Sequence, residues 1–432
     1  MRGGKRTPSA VRSTPCENFI DGYRDYAQQL TDCPANFHDV MSLAIVGAAL
    51  GNRVWFEGGA SRVYPNFYLL LLGPSGCGKS YALKIAADFT DRLVKPGGEV
   101  DDETGKPLPL SPRYPNMSSP ESMVDTLDEN PSGVFIISEL SAFMRQFGKS
   151  YMAGAQAMIT DIYDGAGTLI VRTKRGGVRQ IEGFNLAPSL WAASTLEWFQ
   201  QNLTVEDLMG GWWNRFLLVR GAPEKFFPVQ PIGNELRRQT LFNMLVKISS
   251  LAGKADDSRA QEIYTKWIYE TRNRWPRGGV WGNFPRRLHL MARKLALCLE
   301  AGRTCSLSVS PDTMMEACGL AEETFQGLLA MEADELTFSA EEYQTKTIRD
   351  MIRLSGMVTR HLLSRRSRLM SNQLDVILKT LWERREIEMV QVQDSNGDWA
   401  ECFKWIKGDG VGAVDLETQI PTVASSSKGK VK

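Results

Sequence analysis

A chain of 432 residues in which 43% are hydrophobic and 23% are charged has the composition of a folded globular protein with roughly two to four domains. A disordered or fibrous protein is therefore excluded. Its 51 lysines and arginines nearly balance its 50 aspartates and glutamates, so any surface for nucleic acid must be a local patch.

The cysteines and the amino terminus indicate the compartment. Cysteines are scattered along the chain without a Cys-x-x-Cys pair, which favours a reduced protein without structural zinc. Residues 1–15 are basic but contain no apolar segment, and no apolar run of about 18 residues occurs elsewhere. We therefore expect a cytoplasmic protein that does not contact a membrane.

The amino-terminal part of the chain predicts an arm, a helical segment and the start of an α/β core. We expect residues 1–15 to be disordered and residues 16–60 to be helical, because apolar side chains recur there at helical spacing. The apolar run 67–72 ends directly in glycine and predicts a buried strand. Residues 81–86 predict the helix that follows, and the core should span residues 61–232.

Further buried strands are predicted within this core. Their positions are 133–137, 190–193 and 215–219. A helix is expected to start near Ser119, and residues 169–171 and 180–184 predict a hairpin around the basic segment between them. Buried strands that alternate with helices predict an α/β fold with a parallel-rich central sheet.

The last part of the chain predicts two smaller units and a tail. Residues 233–340 have a helical pattern and should form a helical subdomain. Residues 341–407 contain helical patterns followed by two strands, 386–393 and 399–406, which is the outline of a winged helix. Residues 408–432 are small and polar, and we expect them to be disordered.

The strongest motif is a glycine-rich loop between the first predicted core strand and its helix. The pattern Gly-x-x-x-x-Gly-Lys-Ser in this position is typical of a phosphate-binding loop. Glycines allow backbone amides to turn toward phosphates, the lysine meets the β and γ oxygens, and the serine hydroxyl ligates Mg²⁺. We therefore expect ATP and Mg²⁺ as cofactors. The residues expected to contact them are Gly73, Pro74, Ser75, Gly76, Cys77, Gly78, Lys79, Ser80 and Tyr81. Cys77 fills a place that needs a small residue, with a redox sensor as the alternative.

A second strand should present acidic groups to the metal and to the attacking water. Residues 135–139 fit in order and spacing, but the usual Asp-Glu pair is here Ser138-Glu139. Glu139 is able to polarise water, whereas the carboxylate that normally lies in the outer shell of the metal is missing. Either Ser138 holds a metal-bound water or turnover is slow. The alternative for Glu139 is that it only caps the strand.

Two other catalytic candidates lie next to later strands. Ser194 and Thr195 follow the strand 190–193, where related NTPases place a polar residue that senses the γ-phosphate, and a Ser-Thr turn is the alternative. Arg215 lies between a glycine turn and an apolar strand, where it can be offered to the nucleotide of a neighbouring subunit. Such an arginine finger stabilises charge in the transition state. A local salt bridge is the alternative for Arg215.

Basic residues in the hairpin and in the predicted winged helix suggest contacts with DNA. The hairpin is able to track a nucleic-acid backbone, and Ser371 should cap a helix that faces a DNA groove. The residues expected to contact DNA are Arg172, Lys174, Arg175, Arg179, Arg360, Arg365, Arg366, Arg368, Asn372, Gln373 and Lys379. The alternatives are solvated charge in the hairpin and a winged unit that binds protein.

In this order the motifs resemble an incompletely characterised family of P-loop proteins from phages, plasmids and bacterial genomic islands, often described as helicases or primase-helicases. The resemblance covers about residues 17–330 and rests on the segments 33–38, 65–68, 137–140, 162–165 and 214–217 beside the loop. It implies a RecA/AAA-like ATPase core, a homo-oligomeric ring such as a hexamer, and a role in replication or in a mobile element. It also implies the cytoplasm of a bacterial or phage-infected cell and, where priming is needed, a separate primase or loader as a partner.

Two functions from different classes fit these motifs. The first is an ATP-dependent DNA helicase or replication-initiator motor. The second is a DNA-associated regulatory ATPase switch, in transposition or defence, that does not unwind DNA. Ser138 favours the switch, and the basic hairpin favours the motor. A small-molecule kinase is poorly supported, because no signature of a small-substrate pocket is present.

Overall fold

The chain divides into two compact units, Met1–Glu335 and Leu336–Lys432. The computed structural model describes residues 18–58, 61–95, 99–101, 104–115, 119–147, 149, 152, 154–164, 168–172, 177–182, 185–202, 211–222, 227, 231–275, 284–334, 340–367, 369–393 and 399–406. The predicted arm, 1–15, and the predicted tail, 408–432, lie outside the described residues. The predicted domain boundaries at 60/61, 232/233 and 340/341 stay predictions.

The first unit alternates helices with strands. Its helices are α1 (Phe19–Leu30), α2 (Ala35–Leu50), α3 (Lys79–Thr90), α4 (Pro120–Glu129), α5 (Leu140–Phe147), α6 (Ala155–Tyr163), α7 (Leu196–Asn202), α8 (Glu235–Ser249), α9 (Gln261–Arg274), α10 (Pro285–Thr304) and α11 (Pro311–Asp334). Its strands are β1 (Val54–Glu57), β2 (Arg62–Val63), β3 (Tyr68–Leu72), β4 (Val134–Ile137), β5 (Thr168–Arg172), β6 (Val178–Glu182), β7 (Ser189–Ser194), β8 (Phe216–Arg220) and β9 (Gly253–Lys254).

A four-stranded sheet lies at the centre of this unit. Its strand order is β4-β7-β3-β8, and all of its neighbouring strands are parallel. Every residue of β3 and β7 is buried, which explains why both strands are almost wholly apolar in sequence. The predicted α/β fold with a parallel central sheet is therefore confirmed.

The register of the sheet sets which residues meet at its ends. Leu72 at the end of β3 lies opposite Ser194 of β7 on one side and Arg220 of β8 on the other. On β4, Ile137 lies opposite Ala192 of β7. Parallel strands all end at the same side of a sheet, so we call this side the carboxyl edge and the opposite side the amino edge.

The predicted amino-terminal helical segment is two helices, and α2 belongs to the core. Most of its residues are buried, and it packs against α1, α3, α8 and α10. The turn between α1 and α2 lies at residues 31–34. The predicted core began only at residue 61, but α2 is apolar on nearly all sides and is therefore buried on nearly all sides.

The first unit also contains two small sheets. The hairpin of β5 and β6 is antiparallel, as predicted, and packs against α4. The other sheet has the order β2-β1-β9 and was not predicted, because its strands are short and carry mixed polar and apolar residues.

The second unit combines helices with an antiparallel sheet. Its elements are α12 (Ala340–Ser355), β10 (Met357–Thr359), α13 (Arg360–Ser367), α14 (Ser371–Glu383), β11 (Ile387–Gln393) and β12 (Trp399–Trp405). The strand order is β10-β12-β11, with both pairs antiparallel. A core of its own includes Ile348, Ile352, Leu363, Leu374 and Phe403.

Across the described parts of both units, no helix combines the length and the apolar composition that crossing a membrane requires.

Candidate functional site

The loop from Gly73 to Ser80 connects β3 to α3 at the carboxyl edge. Gly76 and Gly78 have φ angles of 81° and 82°, in the left-handed region that favours glycine. A Cβ added to Gly76 would have no atom within 4 Å, so this side of the loop is open. Pro74 and Ser75 are exposed beside it. The loop therefore presents backbone, rather than side chains, to an open space above the sheet.

The other side of the loop is closely packed. A Cβ on Gly73 would lie 2.6 Å from the carbonyl oxygen of Gly221 and 2.8 Å from Cys77 Sγ. A Cβ on Gly78 would lie 3.0 Å from Cys33 Cβ. Both glycines are thus required by a close approach of neighbouring chain. Cys77 is buried beneath the loop, which agrees with the small filler rather than with an exposed sensor.

Lys79 holds its amino group above the start of the loop. Its Nζ donates to the carbonyl oxygens of Gly73 at 2.8 Å and Pro74 at 2.7 Å, and it lies 3.7 Å from Cys77 Sγ. The helix α3 begins at Lys79, so its first amides and the positive end of its dipole face the loop. Ser80 is exposed at this end of the helix. A cation, a helix terminus and a hydroxyl therefore converge on one open space.

Ser194 lies directly beside the loop, on the neighbouring strand β7. Its carbonyl oxygen accepts from the amide of Gly73 at 3.4 Å, and its side chain is buried. A Ser-Thr turn was the alternative for Ser194 and Thr195. Thr195 makes such a turn, because its Oγ1 accepts from the amide of Trp198 at 3.3 Å at the start of α7. Of the two candidates, Ser194 is the one next to the loop.

Ser138 and Glu139 follow β4, two strands away from β3. Both are exposed at the carboxyl edge, and β7 with Ser194 lies between them and the loop. With neighbouring strands about 4.8 Å apart, the separation of about 10 Å leaves room for a phosphate group and a metal ion. Glu139 Oε1 accepts from Ser141 Oγ. This hydrogen bond orients the carboxylate, as a catalytic role would require. It also fits the alternative, in which Glu139 only caps the strand.

Arg215 is placed differently from the expectation. It precedes β8, so the direction of the strand puts it at the amino edge, away from the loop. Its side chain is 7% exposed, is paired with Asp164 and donates to the carbonyl of Gly211. Within this chain Arg215 therefore makes the local salt bridge that was the alternative for it. Burial and a carboxylate partner hold the guanidinium inside the chain.

Arg220 was missed by the sequence reasoning. It ends β8 opposite Leu72 and is exposed at the carboxyl edge, one strand from the loop. Its backbone is fixed from two sides: Asn36 Nδ2 donates to its carbonyl at 2.6 Å, and the next amide, of Gly221, donates to the carbonyl of Leu72 at 2.9 Å. The sequence contained a signal for Arg220. One arginine precedes β8 and one ends it, and only the second lies at the edge that carries the loop.

The turn between α1 and α2 was also missed as a part of the site. Cys33 packs against Gly78, and Pro34 and Phe37 pack against Gly221. A Cβ added to either glycine would lie 3.0 Å or less from these residues. Burial raises the pKa of the Cys33 thiol to about 12, so the thiol stays protonated and acts as a small apolar group. The segment 33–38, which carries part of the family resemblance, is therefore the packing surface behind the loop.

The hairpin candidates for DNA contact are only partly described. Lys174 and Arg175, like Arg368 in the second unit, lie outside the described residues. Arg172 ends β5 opposite Val178, and Arg179 lies in β6 opposite Val171. These two positions flank the turn of the hairpin, where the prediction put them.

In the second unit, Arg360 has a structural partner. It pairs with Asp375 at 2.5 Å and donates to Ser371 Oγ at 2.9 Å, which joins α13 to α14. Ser371 therefore does not cap α14 as predicted. The helix begins at Ser371, and Gln373 Oε1 accepts instead from the amide of Met370 at 3.2 Å.

The other candidates of this unit lie on the surface of α13 and α14. Arg365, Arg366, Asn372 and Lys379 are exposed. Asp375 and Glu383 lie near them on α14, and Glu383 is 3.9 Å from Lys379. The face that was expected to meet DNA is therefore accessible but of mixed charge.

Comparison with family models and with curated proteins finds no match for this chain. Its function must therefore be inferred from the geometry of the Gly73–Ser80 loop and of the carboxyl edge around it.

Proposed function

We propose that this chain is a P-loop ATPase that hydrolyses ATP with Mg²⁺ at the carboxyl edge of its central sheet. One observation carries the proposal. The loop with the pattern Gly-x-x-x-x-Gly-Lys-Ser joins a buried parallel strand to the start of a helix, and Lys79 holds its amino group over it. That context gives the pattern its meaning as a phosphate-binding loop.

The residues present fit the phosphates of ATP and a magnesium ion. The open side of the loop at Gly76 is where backbone amides would meet phosphate oxygens, and Lys79 would exchange its loop carbonyls for the β and γ oxygens. Ser80 would ligate Mg²⁺, which takes few protein ligands and keeps several waters. The metal ion supplies charge neutralisation on the β and γ oxygens.

The strands beside β3 supply the remaining groups. Glu139 would accept the proton of the attacking water, and Ser194 would orient that water or the γ-phosphate. Ser138 would hold a water of the metal ion in place of a carboxylate. Arg220, on the other side of β3, would bring a guanidinium to the phosphates, the group that binds them in bidentate fashion. We propose that Arg220 stabilises charge in the transition state, the role that was expected of Arg215.

We propose that the second unit is a winged helix that binds DNA. Its order of helix, strand, two helices and two strands, with a three-stranded antiparallel sheet, supports this assignment. In a helix-turn-helix pair the second helix enters the major groove. That helix is α14, which exposes Asn372 and Lys379, and the exposed Arg365 and Arg366 precede it.

The biological role that these parts support best is an ATP-dependent DNA helicase or replication-initiator motor of the phage or mobile-element type. It would act as a homo-oligomeric ring such as a hexamer, with a separate primase or loader, in the cytoplasm of a bacterial or infected cell. The basic hairpin of β5 and β6 is the feature that favours a motor, because a positive hairpin is able to track a single strand.

The experiment that tests the proposal is ATP turnover by the purified protein with and without single-stranded and forked DNA, together with strand displacement of the fork. DNA-stimulated turnover with displacement supports the motor. No magnesium-dependent turnover and no ATP binding would contradict the P-loop ATPase itself.

A regulatory ATPase switch is the second candidate. It is favoured by Ser138, which replaces the outer-shell carboxylate, and by the internal ion pair of Arg215, which removes one candidate for coupling between subunits. A switch would show DNA-stimulated hydrolysis without strand displacement. In that case Ser138→Asp is the informative variant, because a faster turnover would show that the missing carboxylate limits the rate.

A further inference from the structure

The amino edge of the central sheet carries a cluster of charges that the proposed ATPase does not use. Asp164, which follows α6, accepts from Arg287 of α10 at 2.5 and 2.9 Å and also pairs with Arg215. Because Arg215 precedes β8, the cluster lies at the end of the sheet opposite the Gly73–Ser80 loop. It therefore belongs to a different place in the unit from the proposed nucleotide site.

A buried lysine adjoins this carboxylate. Lys294 on α10 is 3% exposed, and its Nζ donates to Asn66 at the backbone oxygen, 3.0 Å, and at Oδ1, 2.8 Å. The ammonium also lies 3.6 Å from the centre of the Tyr163 ring. Burial lowers the pKa of Lys294 to about 7, and Asp164 opposes that shift. A lysine this deeply buried is costly to keep charged unless negative charge compensates it.

A cleft opens onto Lys294. Its lining residues include Ser61, Arg62, Asn66, Tyr163, Asp164 and Lys294. The cleft has a volume of about 330 Å³, which includes open solvent at its mouth, and its enclosed part has room for about two water molecules. Arg62 lines it from β2, where its guanidinium lies 4.1 Å from the centre of the Trp55 ring and its backbone lies opposite Glu57 of β1.

The charges around Asp164 do not balance. Among the described residues, Arg215 and Arg287 pair with its carboxylate and Lys294 lies close to it, and of these only Asp164 and Lys294 line the cleft. Arginine stays protonated in proteins, so the excess is positive by one charge when Lys294 is neutral and by two when it is charged. An anion in the cleft would compensate this excess where water is scarce.

We propose that this cleft is a binding site for one small oxyanion, either inorganic phosphate or sulfate or the terminal phosphate of a phosphomonoester. The room of about two water molecules suits a single tetrahedral group and excludes a nucleotide or a sugar. A phosphodiester of a continuous DNA backbone carries a substituent on both sides, so it does not reach an ammonium that is 3% exposed. Arg62 provides the charged donor, and Lys294, whose Nζ already donates twice to Asn66, adds positive charge behind it.

The first test measures stabilisation by sulfate in the Lys79→Ala variant of the full chain, so that the Gly73–Ser80 loop contributes little anion binding. At sulfate concentrations well above Kd, and against chloride at equal ionic strength, we expect Tm to rise by roughly 3 °C. Lys294→Met and Arg62→Ala should each lose most of this rise, whereas the exposed Lys247→Met on α8 should keep it. Arg62 is exposed, so its variant is expected to fold even if Lys294→Met does not.

The second readout is the pH dependence of sulfate binding between pH 6 and pH 8.5, a range in which sulfate itself does not titrate. The charged or titratable groups around the Lys294 ammonium are Tyr163, Asp164, Arg215, Arg287 and Cys298. Burial raises the pKa of Tyr163 and of Cys298, so both stay neutral in this range. Because the anion favours protonated Lys294, sulfate should bind severalfold more tightly at pH 6 than at pH 8.5.

The source of the oxyanion is separated by two further probes. Inorganic phosphate that competes with sulfate indicates a free ion, and an oligonucleotide with a 5′-phosphate that competes better than its 5′-hydroxyl form indicates a terminal phosphate. Sulfate stabilisation that is unchanged in Arg62→Ala, or absent at every pH, would overturn the proposal. None of these measurements requires ATP turnover, so they stand apart from the test of the ATPase.

Discussion

Lys79 lies within hydrogen-bonding distance of two carbonyl oxygens of its own loop, so its amino group is already at the place where phosphates would bind. We expect Lys79→Ala to abolish ATP turnover, because the positive charge on the β and γ oxygens is lost. The exposed Lys84→Ala on the same helix is the matched control and should keep turnover. Normal steady-state hydrolysis by Lys79→Ala would remove the loop from the mechanism.

Arg215, which precedes β8, and Arg220, which ends it, should behave differently. Arg220→Ala is expected to lower kcat by about tenfold or more, as loss of one phosphate contact does, with little change in stability. Arg215→Ala should instead destabilise the fold by about 2 kcal/mol, because it leaves Asp164 with Arg287 as its remaining arginine partner. Turnover and urea unfolding of both variants, measured side by side, separate the two roles. Equal loss of kcat without loss of stability in Arg215→Ala would restore that residue as the catalytic arginine.

Lys294 gives a pH dependence of stability with a definite sign. Its pKa in the folded chain is about 7, below the ordinary value of 10.5. Between these values the unfolded chain binds more protons than the folded one, so the free energy of unfolding rises as pH rises. In chloride buffer we expect the stability of the wild type relative to Lys294→Met to increase from about pH 7 to pH 10.5. Denaturant midpoints that stay parallel across this window would show that Lys294 remains charged.

At the scale of elements, the apolar runs of the sequence located the strands of the central sheet well. A fully buried parallel strand is apolar at every position, and residues 67–72 and 190–193 have that simple pattern. The strands β1, β2 and β9 were missed because they are short and partly polar, so no run or alternation marks them. The segment 16–60 divides into two helices at residues 31–34, and Pro34 directly precedes α2.

The candidate site was less predictable than the fold, because it depends on which strands become neighbours. The loop and Lys79 follow from a local pattern, whereas the place of Ser194 between the loop and Glu139 depends on β7 lying between β3 and β4. The surroundings of Arg215 depend on the fold for the same reason. Its distance from the loop follows from the direction of β8, and its partner Asp164 is remote in sequence.

The helices α13 and α14 carry a prediction about the salt dependence of DNA binding. Each phosphate contact that is lost should reduce the slope of log K against log salt by about 0.9. The triple variant Arg365→Ala, Arg366→Ala and Lys379→Ala should therefore bind DNA more weakly and with a flatter slope. Fluorescence anisotropy over a salt series measures both quantities. Arg353→Ala, on α12 and paired with Asp350 at 3.5 Å, serves as the control. An unchanged slope in the triple variant would favour a unit that binds protein.

At the scale of the whole molecule, the division at Glu335 places the proposed nucleotide site in one unit and the proposed winged helix in the other. The loop, Ser194, Glu139 and Arg220 all belong to the first unit, and the second unit has its own core. A fragment that ends at residue 335 should therefore bind ATP as the full chain does but bind DNA more weakly. Calorimetry with ATP and anisotropy with DNA test the two halves of this statement. Loss of ATP binding in a folded fragment would contradict it.

The packing of the turn between α1 and α2 behind the loop bears on how fragments of the chain should be chosen. The side chains that press on Gly78 and Gly221 come from Cys33, Pro34 and Phe37, well before the apolar run that marks the start of the predicted core. A fragment that begins at residue 61 would contain the whole motif and yet lack the surface that fixes its shape. For recombinant expression, the minimal nucleotide-binding fragment starts ahead of Cys33, and a shorter one would fail for reasons unrelated to its catalytic residues.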